Sequence, residues 1–333
     1  MQDDREETNR VYDFLLSADL MVPDPDATSE MLVRRLGVLA HPNWRQAFPT
    51  HAYVAHFLRV HRSLAVAPTR IETQGHAEIS LPPADPFFPP YLNSLVAFQG
   101  PDRPIKTHAT VLVTGQLDEL MSRLVRRRVP FRIAPRDEIM AFDRVWVGTT
   151  PEDPRYNPAF DGGLCIEILS SAPLQMPPET FSESPPQPRD LPAGGLVRVT
   201  GRGYLVRDLD NTLRVLSSNL GWEPVGPVEL ARDEGYRVAR MGFAVPHSAT
   251  VDLIEPVRWN SPTGYYLHTW GPGPYYIRIG VNGLEEKAAD LTERGTRFTR
   301  LPEGSVIGPR LQVDPGDLGG ALVEFVDHPS MGT

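Results

Sequence analysis

A chain of 333 residues that is 41% hydrophobic and 23% charged has apolar material for about two globular cores. Its formal net charge of −9 argues against nucleic acid as a partner, because phosphate binding draws on clustered Lys and Arg. Cys165 is the single cysteine, which excludes an intramolecular disulfide and a thiolate metal cluster. The acidic start MQDDREETNR lacks a secretory pattern, and no apolar run approaches the ~18 residues of a membrane span. A cytoplasmic location without membrane attachment is the expectation.

In chain order, the first strand signal is FLLSADLMV, followed by the turn PDPD and the helix ATSEMLVRRLG, where Met31, Leu32 and Leu36 mark one apolar face. A second unit opens with the strand THATVLV and the helix QLDELMSRLVRRR, then continues with FRIAP, DRVWVGTT and GLCIEIL. The basic run Arg126 to Arg128 ends that helix, where it complements the helix dipole rather than a polyanion. From Leu174 to Gly195 the segment LQMPPETFSESPPQPRDLPAGG reads as a Pro-rich linker. It divides the chain into residues 1–173 and 196–333. The third unit runs LVRVTGRGYLV, DLDNTLRVLSSNLGW, YRVARMGFAV and ATVDLIEP. The fourth runs YYIRIGV, NGLEEKAADLTERG, FTRLP and ALVEFVDHP. The same order of strand and helix signals occurs four times, which is a repeat architecture.

The residues at this point resemble a known superfamily. DLDNTLRVLSSNLGW looks like the strand-turn-helix opening of a vicinal oxygen chelate module, and SPTGYYLHTWGPGPYYIRIGV is similar to its inter-module connection. That superfamily includes glyoxalase I, methylmalonyl-CoA epimerase, extradiol dioxygenases and bleomycin-resistance proteins. The resemblance implies an α+β fold of four βαβββ modules, forming two tandem glyoxalase-like domains with curved mixed sheets. Each pair of modules would enclose one cavity.

The same resemblance implies four metal-ligand positions per cavity. In the N-terminal half these fall on Ser17, Glu78, His108 and Glu167; in the C-terminal half they fall on Gly201, Asp252, Tyr276 and Glu324. Glu78, His108 and Glu167 make a chemically sensible set for a divalent ion (Fe, Zn, Ni, Mn or Co). Serine is a poor fourth ligand, while Asp19 shares the strand face of Ser17 and His76 that of Glu78. His76, His108 and Glu167 form an alternative two-histidine, one-carboxylate triad suited to Fe(II). Glu78 or Glu167 would serve as general base. The C-terminal set lacks a donor at Gly201 and has a phenol at Tyr276, so that cavity is expected to hold no metal. Its aromatic residues Tyr265, Tyr266, Trp270, Tyr275 and Tyr276 read either as pocket lining or as core packing.

The resulting expectation is a metal-dependent enzyme, isomerase- or lyase-like, acting on a small-molecule substrate through adjacent oxygens. The alternatives are extradiol ring cleavage and non-catalytic binding of a small molecule. A homodimer is an open alternative to a monomer.

Overall fold

The computed structural model describes residues 10–48, 53–60, 63–71, 87–100, 102–134, 143–171, 188–245, 247–304 and 306–328. The chain is α+β and folds as two eight-stranded sheets of the same topology. The N-terminal sheet contains β1 (Phe14–Met21), β2 (Leu39–Phe48), β3 (Tyr53–Val60), β4 (Ser63–Ile71), β5 (Thr110–Thr114), β6 (Phe131–Ala134), β7 (Arg144–Val147) and β8 (Ile166–Ser170). Its spatial order is β2-β3-β4-β1-β5-β8-β7-β6. The C-terminal sheet contains β9 (Leu196–Leu205), β10 (Glu229–Ala231), β11 (Tyr236–Met241), β12 (Thr250–Pro256), β13 (Gly273–Val281), β14 (Phe298–Leu301), β15 (Arg310–Val313) and β16 (Leu322–Asp327). Its order, β10-β11-β12-β9-β13-β16-β15-β14, repeats the first. In each sheet the opening strands of the two modules pair antiparallel at the centre, β1 with β5 and β9 with β13, and each also pairs parallel with the last strand of its own module.

Six helices accompany these strands among the described residues: α1 (Pro25–Leu36), α2 (Phe88–Gln99), α3 (Leu117–Arg127), α4 (Leu209–Val215, continued as a π-turn over Leu216–Leu220), α5 (Pro262–Trp270) and α6 (Leu284–Glu293). The ends of α1 follow from its residues. The Asp24 carboxylate accepts from Ala27 N at 2.9 Å, Pro25 occupies the first turn without wasting a donor, and Gly37 ends the helix at φ 76°. Helices α2 and α5 bridge the two modules of each half. The reading of 261–281 as a plain connection missed α5, although Ser261 caps it by accepting from Gly264 N and Pro262 starts it.

Each sheet has an apolar cluster of its own, around Tyr91 and Trp146 in the first and around Tyr236 and Tyr276 in the second, and two larger clusters are shared between the halves. One apolar cluster joins α1 residues Leu32 and Leu36 to β13 and α6 residues such as Ile279 and Leu291; another joins α3 residues Leu120 and Leu124 to Leu216, Leu220 and Trp222. The packing thus pairs the first module with the fourth and the second with the third. The last residues of the expected linker also pack down. Asn282 Nδ2 donates to Leu191 O and Pro192 O, and Gly194 N donates to Asn282 O.

Lys287 ties the first and fourth modules together. Its buried ammonium donates to Leu36 O at 2.9 Å, at the carbonyl end of α1, and to Asp290 at 2.6 Å, over the Phe325 ring. Lys287→Met keeps the stem's packing but strands a buried carbonyl, so urea unfolding is expected to show a loss of about 1–3 kcal/mol. An unchanged midpoint would mean that this tie contributes nothing to docking.

Candidate functional site

At the centre of the N-terminal sheet, Asp19 and His108 form a buried pair. The Asp19 carboxylate accepts from His108 Nδ1 at 2.5 Å, from His108 N at 3.0 Å and from the Thr107 hydroxyl. Burial alone would raise the Asp19 pKa, but His108 and these hydrogen bonds hold it below the usual carboxylate value. Burial likewise pulls His108 down, and the Asp19 carboxylate outweighs it, so the imidazole binds its proton more tightly than usual. His108 stands in the bend just before β5 rather than on the strand itself. Glu167 is buried on β8, opposite Trp146 of β7. Burial pushes its carboxyl above the ordinary value, and the nearby Arg144 and His108 offset this in part. Asp19, His108 and Glu167 are therefore one electrostatic cluster. Ser17 lies on β1 beside them. Glu78 and His76 follow β4 and lie outside the described residues.

The C-terminal sheet carries a different arrangement at the corresponding place. Arg278, buried on β13, spans two carboxylates: Nη1 donates to Asp252 at 3.2 Å, and Nη2 donates to Glu324 at 2.9 Å. Arg310 continues the chain of charges, to Glu324 at 3.2 Å and to Glu234 at 2.6 Å. The Tyr276 hydroxyl donates to Asp252, and its ring lies 4.2 Å from the Arg278 guanidinium. Gly203 permits this, since a Cβ there would sit 2.7 Å from the Tyr276 ring. Burial works against the charge on Arg278, but Tyr276, Glu324 and Asp252 raise its pKa well above the ordinary value. Beside this network opens a cavity of about 570 Å³, lined among others by Tyr236, Tyr266, Tyr275 and Tyr276.

Strand register lets the two halves be compared residue by residue. Glu167 pairs with Val111 and Trp146, whereas Glu324 pairs with Arg278 and Gln312. Arg144 and Arg310 occupy the same place, each on the strand next to its glutamate and two register positions away. Ser17 opposes Val111 as Gly201 opposes Arg278. Three residues before Val111 stands His108, and three before Arg278 stands Tyr275, adjacent to Tyr276. In the register place of Asp252, opposite the third residue of the β1 pattern, the N-terminal sheet has Ala67. The two sheets therefore differ in charge at three matched places: the C-terminal sheet has Arg278 and Asp252 where the N-terminal sheet has Val111 and Ala67, and the N-terminal sheet has Asp19 where the C-terminal sheet has Gly203. Arg144, Arg278, Arg310 and Glu234 were not singled out from sequence. The signal of the arginines was a lone Arg within a strand, as in DRVWV and YYIRIGV, whereas Glu234 stands in the turn before β11.

Among the described residues no group of three or more His, Cys, Asp or Glu side chains is arranged to hold a metal ion. No described helix is long and apolar enough to cross a membrane.

No protein-family model matches the sequence, and no curated protein matches it. Solved structures do. A triple mutant of 4-hydroxymandelate synthase from Streptomyces coelicolor superposes over 97% of this chain and 94% of its own, with a TM-score of 0.60 at 16% identity. Methylmalonyl-CoA epimerase from Mycobacterium tuberculosis is 29% identical over 39% of this chain and 88% of its own, with a TM-score of 0.35. The Streptomyces coelicolor epimerase is 27% identical over 40% of this chain and 97% of its own, with a TM-score of 0.37. The full-length superposition and the repeated eight-strand order agree: this chain has the vicinal oxygen chelate fold in its four-module form.

Proposed function

We propose that the N-terminal sheet carries a metal-dependent site of the vicinal oxygen chelate type, acting on a small molecule through adjacent oxygens in isomerase- or lyase-like chemistry. The observation that carries this reading is the register comparison. Where the C-terminal sheet neutralises its carboxylates with Arg278, the N-terminal sheet has Val111 beside a histidine and a buried glutamate.

The chemistry of the donors His108 and Glu167 suits a divalent ion, and a third ligand would have to come from outside the described residues. Asp19 engages Nδ1 of His108, the carboxylate–imidazole contact that orients a ligating ring through Nε2, and Glu167 adds a hard oxygen. Glu78 or His76 would complete the set; with His76, the triad suits iron. A divalent ion bound there would act as a Lewis acid toward the two oxygens of the substrate. The remaining work falls to side chains. Glu167, whose carboxyl is raised by burial, is suited to take a proton from carbon next to the polarised oxygen. Arg144, two register positions away on the neighbouring strand, limits that rise. Trp146 and Tyr91, in edge contact at 5.3 Å, are buried aromatic neighbours of this cluster, with Trp146 6.2 Å from the His108 ring. Ring cleavage in the C-terminal half, the alternative architecture, has Arg278 standing between the two carboxylates it would need.

Elemental analysis of the purified chain tests the reading. A stoichiometric first-row ion is expected, lost in His108→Ala and kept in Tyr276→Phe. An ion that survives His108→Ala but is stripped by Glu324→Ala would move the site to the C-terminal sheet. Absence of any ion in protein prepared with iron, zinc and manganese present would favour a purely binding role, which the C-terminal cavity also supports.

A further inference from the structure

The cavity of the C-terminal half has a charge and wall chemistry of its own. Its lining contains two carboxylates, Glu324 and Glu234, against one guanidinium group, Arg310, while behind them Arg278 offsets Asp252. This leaves one negative charge in excess. Glu234 shows where the balance fails: Oε2 accepts from Arg310 and Tyr236, while Oε1 is buried and accepts no hydrogen bond. Asp233 and Arg258, the other charged lining residues, are exposed and opposite in sign. Arg103 approaches the ring of Tyr266, but its guanidinium is engaged by the carbonyls of Trp270, Gly271 and Pro274, and it does not line the cavity.

The walls are aromatic. Tyr236 and Tyr276 spend their hydroxyls on Glu234 and Asp252, whereas those of Tyr266 and Tyr275 have no hydrogen-bond partner among the described residues. Tyr266 and Tyr275 meet edge to face at 5.1 Å, and Tyr275 lies 5.8 Å from Tyr276. Beside the lining residues Arg258 and Asn260, Trp259 is 78% exposed and packs edge-on against Tyr265. A volume of about 570 Å³ lies in the range of small-molecule sites. Aromatic faces attract a cation through their ring quadrupoles, most strongly where water is excluded.

We infer that the C-terminal cavity is a second ligand site, which takes a small organic cation, an alkylated or aryl-substituted ammonium, between the tyrosine faces and the Glu234 carboxylate. This site is independent of the metal-dependent reading of the N-terminal sheet. The cation supplies the missing positive charge, and its apolar substituents fill the aromatic walls. Anionic ligands are disfavoured by the excess carboxylate, and neutral ones gain only the packing.

Calorimetric titration of the full chain with benzyltrimethylammonium, and separately with benzoate, tests this. Saturable binding of the cation and none of benzoate is expected. Glu234→Gln and Tyr275→Leu should each weaken the cation by about ten-fold or more, with folding verified by circular dichroism. His108→Ala should leave this binding unchanged while removing the N-terminal ion, so that either reading can fail without the other. Benzoate binding as tightly as the cation, no binding of the cation, or an affinity unchanged in both cavity variants would overturn the assignment.

Discussion

Replacing Arg278 by methionine is expected to destabilise the protein by about 3–5 kcal/mol, the largest single-site loss in the C-terminal half. Methionine fills much of the volume, so the effect is not a cavity. It comes from Asp252 and Glu324, which are almost fully buried and would face each other's charge without the guanidinium. Arg310 would still reach Glu324, but Asp252 would keep only the hydroxyls of Tyr276 and Thr250. Equilibrium urea unfolding measures the loss. Adding Asp252→Asn and Glu324→Gln to the Arg278→Met chain should recover most of it, because the cost lies in uncompensated charge rather than in lost packing. A second readout separates charge from shape. Manganese should raise the melting temperature of Arg278→Ala, whose two carboxylates can then share an ion, and leave that of the parent chain unchanged. Equal stability of Arg278→Met and the parent would show that the buried network is worth no more than its apolar substitute.

How much of this could be read from the residues differs by level. The opening strand and helix of every module were visible, because alternation in FLLSADLMV and 3.6-residue periodicity in QLDELMSRLVRRR are local signals. The repeated order of such signals led to the α+β two-sheet fold. The bridging helices α2 and α5 were not visible: FPPYLNSLVAFQ is largely apolar and has two prolines in its first turn, so it has no clear stripe. The pairing of the first module with the fourth is likewise not written locally. It depends on long-range contacts such as Lys287 to Leu36, separated by 251 residues.

For the candidate site, His108 and Glu167 were named from the family pattern, and the structure places both in one buried electrostatic cluster with Asp19. Arg278 was not named, since an arginine in an apolar strand reads as an ordinary exposed position until the two carboxylates beside it are known. Position-by-position carry-over from the family pattern placed Tyr276 opposite His108, whereas strand register sets His108 against the Tyr275–Tyr276 pair within an irregular stretch of β13. A bulge of this kind shifts a face by one residue, and no period in the sequence announces it.

Asp19→Asn is expected to cut the affinity of the N-terminal sheet for a divalent ion by about ten- to a hundred-fold while leaving the chain folded. Asp19 is not itself one of the proposed ligands. It acts through His108, whose Nδ1 it engages at 2.5 Å, so it sets which ring nitrogen carries the proton and where the ring points. Asparagine has nearly the same shape and can turn its one oxygen toward His108 N, leaving its NH2 to face the Thr107 hydroxyl, which can itself accept. It cannot do so and also present a negative oxygen to the ring. The imidazole would lose the charge that raises its basicity, and a nearby carboxamide would supply only a dipole to a bound dication. The coupling is specific to this geometry: Ser17→Ala, two residues earlier on the same strand, removes only a weak hydroxyl donor and should change affinity little. Chelator competition with zinc or manganese gives the dissociation constants for both variants. If Asp19→Asn binds the ion as tightly as the parent chain while His108→Ala does not, His108 ligates without support and the carboxylate serves packing alone. If neither substitution affects binding, the ion is held elsewhere, and the N-terminal assignment fails with it.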